Sequence, residues 1–130
     1  RMPNINAALG FAQLEDLGRR LNLKRQLYYK YLEVFKEYES IQIVKESIKS
    51  NNNHWLITLR FLNQNPEEAY SERLHLLKIC HDSGLFLRPV WRLLHHQKMY
   101  TNHPRGQLKV AENESRRLLN LPSSPQLLCQ

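Results

Sequence analysis

Between Arg88 and His95 the chain places two guanidinium groups, an indole and an imidazole in one short stretch: Arg88, Trp91, Arg92 and His95. A guanidinium grips phosphate oxygens through paired N–H donors. An indole offers a flat face to a base or a sugar ring, and an imidazole can donate or accept a hydrogen bond. In this combination they suit a phosphate-bearing ligand such as a nucleotide diphosphate. They also admit a purely structural reading, with Trp91 in the core and both arginines in solvent. A second aromatic pair, His54 and Trp55, opens a strand-like run; Trp55 is expected to belong to the core.

A complete catalytic set is not found. The six histidines are His54, His75, His81, His95, His96 and His103. His75 and His81 miss the i, i+4 spacing that puts two ligands on one helical face, and Cys80 has no partner pair beside His81, so no metal site is expected. The serines lack a G-x-S-x-G setting, and four glycines make no phosphate loop. Cys80 and Cys129 are too few for a disulfide framework and read as reduced thiols of a cytosolic protein.

The net charge of +7 is spread along the chain, with the larger excess after Leu85, where Arg88, Arg92, Lys98, Arg105, Lys109, Arg116 and Arg117 face Glu112 and Glu114. The readings are a solvated surface, a phosphate-bearing ligand, or nucleic acid. No basic recognition helix or aromatic–basic RNA motif supports the last. No apolar run approaches the roughly 20 residues a bilayer-spanning helix needs, so no membrane partner is expected.

These side chains need elements to hold them. Residues 4–38 read as one or two helices, with Pro3 suited to the start. A short strand and a connection follow in residues 40–50. WLITLRFL (55–62) is the clearest strand. Pro66, then Glu67 and Glu68, open a helix over residues 66–83 with Leu74, Leu77 and Cys80 on one side; Gly84 stops it. LFLRPVW (85–91) is a short strand that Pro89 limits to an edge or an end. Residues 95–105 are loop-like with one helical turn. Residues 107–119 form a third helix, and NLPSS an extended end. With 42% hydrophobic residues, 130 residues make one small α+β domain.

Four segments together resemble the DegT/StrS family of nucleotide-sugar aminotransferases. RMPNINAALGFAQLEDL is similar to the family's YRM, then N or S, then AALGLAQL. Asn53-His54-Trp55-Leu56 stands where the family has an aromatic-His-Leu strand start, with the order exchanged. GLFLRPVWRLLHHQKMY is similar to G-I-x-T-x-x-H-Y-x-x-x-H-x-Q-x-x-Y, and AENESRRLLNLP to A-E-x-x-x-x-x-x-L-x-L-P. His95 matches the second His of the third pattern and Trp91 the aromatic beside the first, which is Val90 here.

The resemblance implies the small C-terminal domain of the type I fold of pyridoxal-phosphate-dependent transferases. Residues 1–38 would be a linking helical segment and residues 39–130 the small domain. The large domain, with the lysine that binds pyridoxal 5'-phosphate, would lie upstream, so this stretch alone should be inactive. The implied reaction moves an amino group from glutamate to a 4-keto-6-deoxy nucleotide-linked keto sugar, in a cytoplasmic homodimer, without nucleic acid. R-P-V-W and L-P-S-S resemble a bacillosamine- or legionaminic-type subgroup. Under this reading the substrate-binding candidates are His95, Trp91, Arg88 and Arg92, then Asn4 and His54. The first helix would keep apolar surface for the large domain. A stand-alone basic module for nucleic acid or an acidic protein is the rival, and a related family member with an altered lysine a third possibility.

Overall fold

The computed structural model describes residues 1–128; Cys129 lies outside them. Helices α1 (Asn4–Glu15) and α2 (Leu17–Phe35) open the chain. The break falls at Asp16, whose carboxylate accepts hydrogen bonds from Arg19 and Arg20. Hydrogen bonds from these two guanidinium groups hold its pKa at about 2, well below the ordinary carboxylate range. Pro3 precedes the first turn of α1 in an extended conformation.

Strands β1 (Ile41–Ile43), β2 (Ile57–Phe61), β3 (Arg88–Pro89) and β4 (Leu118–Leu121) form one antiparallel sheet in the order β1-β2-β4-β3. Helix α3 (Pro66–Asp82) joins β2 to β3, and α4 (Lys109–Arg117) runs straight into β4. The architecture is α+β, as the composition and patterning predict. In β2 burial alternates, with Ile57, Leu59 and Phe61 in the core and Thr58 and Arg60 on the other face. Their partners Leu121 and Leu119 lie opposite Ile57 and Leu59 and are buried too. Leu27 and Tyr28 of α2, with Tyr31, Leu32 and Phe35 beside them, close one side of this core. Ala69 and the partly buried Leu76, Leu77 and Cys80 of α3 join it.

Helix α3 begins as its sequence predicts. The Asn65 side chain accepts the Glu67 N–H at 3.0 Å, Pro66 occupies the first turn, and Gly84 (φ +79°) takes the left-handed position after the end. Its inward stripe differs from the expected one. Leu74 is exposed, and Arg73 occupies the core-facing position, buried with its guanidinium on the Ser115 and Leu118 carbonyls. Pro89 sits on the edge strand, where its missing N–H costs no ladder bond.

Two further expectations are corrected. Leu118 and Leu119 belong to β4, an interior strand, and not to the end of the third helix. A leucine-rich run satisfies either periodicity, and pairing with β2 on one side and β3 on the other decides it. Trp55 is not in the core: it precedes β2 and is 62% exposed.

Candidate functional site: a cationic cleft beside paired indoles

Lys24 is the residue around which the site is built. It lies on α2, and its Nζ donates to the carbonyls of His54 (3.2 Å) and Ser123 (2.8 Å). It thereby ties the segment entering β2 to the segment leaving β4. The Ser123 hydroxyl adds a bond to the Trp55 carbonyl at 2.6 Å, and the Tyr31 hydroxyl donates to the Pro122 carbonyl at 2.9 Å. Partial burial lowers the Lys24 pKa from its ordinary value.

The two tied segments form the walls of a cleft of about 330 Å³ lined by Lys24, Trp55, Phe86, Arg88, Asn120, Ser123 and Ser124 among others. Arg88 arrives on β3, whose register sets it opposite Asn120 of β4. Asn120 is buried and accepts a hydrogen bond from Thr58 Oγ1 at 2.9 Å. The cleft thus offers the Arg88 guanidinium, the Lys24 ammonium with two of its N–H groups on carbonyls, the Asn120 amide and two aromatic walls, a set suited to a phosphate ester with a flat group attached. The Ser123 and Ser124 hydroxyl protons are already donated to the Trp55 carbonyl and to Gln126.

Trp91 stands against Trp55, ring centroids 5.7 Å apart and tilted by 43°, and it is 70% exposed. The structural reading of Trp91 as a core residue therefore does not hold. Two indoles left open to solvent side by side form a face that a planar ring can cover.

His54 contributes from beneath. It is buried, its ring stacks on Tyr28 at 4.3 Å, and its φ of +48° is the only positive one among the described residues other than glycine. That turn points its carbonyl to Lys24. Its imidazole has no ligand-facing role here, so His54 acts by shaping the backbone.

The remaining expected residues lie elsewhere. Arg92 lines a shallow recess with Tyr70, Trp91, His96 and Arg116. His95, on a short 3₁₀ turn (Leu94–His96), directs Nε2 to Glu112 Oε1 of α4 at 3.1 Å. Asn4 begins α1, is exposed, and is not part of the cleft. Arg88 thus lines the cleft and Trp91 borders it through Trp55, with His54 in support, while Arg92, His95 and Asn4 lie outside it. The sequence reading missed Lys24, Asn120 and Ser123. Lys24 carries no local signal, being one basic residue among several on α2, and only the fold shows that its amine reaches two loops.

Much of the positive charge is engaged within the fold. Arg60 pairs with Glu114, Arg116 with Glu67 and Lys78 with Asp82, and Arg73 and Arg117 are buried on backbone carbonyls.

Comparison with known proteins gives a consistent picture. The model of the DegT/DnrJ/EryC1/StrS aminotransferase family matches residues 1–129. A GDP-perosamine synthase of Escherichia coli O157:H7 is 33% identical over 98% of this chain and 32% of its own length. Among solved structures, Helicobacter pylori PseC, an aminotransferase involved in pseudoaminic acid biosynthesis, superposes with a TM-score of 0.84 at 19% identity, covering 98% of this chain and 33% of that one. DesV of S. venezuelae, solved with a ketimine intermediate, gives 0.77 at 23% identity, covering 98% and 33%. The structural likenesses concern the fold. The chain spans about a third of the length of the curated relatives it matches.

Proposed function

The chain belongs to the DegT/DnrJ/EryC1/StrS aminotransferase family, and from that premise we propose that it is the small C-terminal domain of a pyridoxal-phosphate-dependent sugar aminotransferase. The intact enzyme moves an amino group from glutamate to the keto carbon of a 4-keto-6-deoxy nucleotide-linked sugar, and works as a cytoplasmic homodimer. Residues 1–38 form the linking helical segment, whose α2 also packs on the core of the small domain, residues 39–130.

The cleft does not fit the cofactor itself. Its lining includes no carboxylate to face a pyridine nitrogen, and its lysine, Lys24, is held by two carbonyls. In this reading the rest of the protein holds the cofactor, which supplies the electron sink, and this chain serves the substrate.

The observation that supports the substrate half is the joining of Lys24, Arg88 and Trp55 in one cleft, with Trp91 against Trp55 at its border. Arg88 holds the diphosphate with the remaining N–H of Lys24 beside it, and the two indoles cover a flat part of the nucleotide sugar. Asn120 keeps Arg88 in register. Arg92, His95 and Asn4 are not needed for this grip.

The test uses the full-length protein with pyridoxal phosphate, glutamate and GDP- or TDP-linked 4-keto-6-deoxyhexose. Formation of 2-oxoglutarate that depends on the sugar is expected; none with any such sugar would refute the activity. Arg88→Ala should raise KM for the sugar about tenfold or more with kcat little changed, since a charged hydrogen bond is worth roughly 1.5–3 kcal/mol. An unchanged KM would remove Arg88 from the site.

A further inference from the structure

We infer that His95, His96 and Glu112 form a site for a divalent transition metal, with Zn²⁺ as the ion they fit. Between β3 and α4 the chain runs from residue 90 to residue 108 with only two short 3₁₀ turns, Leu94–His96 and Lys98–Tyr100. Loops of this length inside a small domain need something to hold them. The first turn carries two adjacent histidines, and α4 presents Glu112 to them.

The donor atoms of the three side chains all lie within 4.8 Å of one another. His95 Nε2 and Glu112 Oε1 are 3.1 Å apart, close to the edge of a tetrahedron built on zinc bonds of roughly 2.0–2.1 Å. The His95 and His96 rings are 4.2 Å apart and nearly perpendicular. The His95 side chain is only 10% exposed and already meets Glu112, and His96 is exposed beside it. Two imidazoles and one carboxylate suit zinc and not calcium or magnesium, which prefer all-oxygen shells. The solvent side leaves a fourth position for water.

Spacing in the sequence hides this set, because Glu112 stands seventeen residues beyond His95 and meets it only through the fold. The trio shares no residue with the Lys24–Arg88 cleft, so it stands whether or not the cleft binds a sugar nucleotide. Bound zinc would pin the long loop to α4.

The test is a zinc titration of the purified, chelator-stripped full-length protein against a chromophoric competitor. The expected result is one zinc per chain assigned to this trio. Its affinity should fall at least about tenfold in His96→Ala and in Glu112→Gln, and stay unchanged in His103→Ala. Zinc should also raise Tm in the wild type and not in His96→Ala. If His96→Ala binds zinc as tightly as the wild type, or the wild type binds none, the site does not exist. His96 is exposed, so its replacement carries the test alone should Glu112→Gln fail to fold.

Discussion

His54 combines three conditions that seldom meet in one residue. It is 6% exposed, its backbone is left-handed, and its Nε2 has no hydrogen-bond partner among the described residues. Burial holds its pKa below the ordinary imidazole value, against the smaller opposing pull of Glu46. The folded state therefore takes up a proton less readily than the unfolded chain. Above about pH 6.5 both states hold a neutral ring; as pH falls below that, the unfolded chain protonates first and stability is lost until the folded value is reached. His54→Asn keeps a residue that tolerates the left-handed backbone and removes the titration. Thermal unfolding between about pH 8 and pH 5 should then show a shallower loss of Tm in the variant than in the wild type. Parallel curves would mean that another group carries the dependence.

At the scale of elements, two buried arginines join α3 to α4 in opposite directions. Arg73 of α3 donates to the Ser115 and Leu118 carbonyls at the C-terminal end of α4, where helical acceptors are unpaired. Arg117, at that same end, donates to the Asn63 and Gln64 carbonyls just before α3. Each helix thus satisfies backbone groups at or beside the other's end. Arg73→Met keeps the apolar stem but orphans the Ser115 carbonyl. A loss of about 1–3 kcal/mol is expected in urea denaturation, and a change of a few tenths would show that water replaces the guanidinium. The same pair explains where local reading stops. The strand character of β2, the start of α3 at Pro66 with Glu67 and Glu68, the Gly84 stop and the edge-or-end position of Pro89 are all visible in the sequence, because each is a local demand of the backbone. Arg73 on a core face is not visible, because its partners lie over forty residues away. Nor is β4, whose leucines accept either helix or strand until neighbours are in place. For the cleft and its border, Arg88 and Trp91 could be named from residue type, and Lys24 could not.

For the whole molecule, α1 is the outlying part. It buries none of its residues, and Leu9 and Phe11 are 61% and 65% exposed. No helix among the described residues is long and apolar enough to cross a membrane, so this apolar face is not a bilayer span. In the domain reading it meets the rest of the enzyme. Leu9→Glu combined with Phe11→Glu should then change the stability of the 130-residue chain by no more than about 0.5 kcal/mol in chemical denaturation. The same pair should clearly destabilise the full-length protein. Equal, large losses in both would place the face inside this domain's own packing.

The position of β4 between β2 and β3 has a consequence for synthesis. A ribosome delivers residues in order, and the sheet is not ordered that way. When Ile57–Phe61 emerges it finds β1 beside it and no neighbour on its other edge; Arg88–Pro89 emerges with no strand to join. Both wait for Leu118–Leu121. Until then the nascent chain carries an open strand edge and a half-made core, the condition that invites mispairing with other chains. The sheet, and with it the cleft that needs both Arg88 and Ser123, closes in one late step.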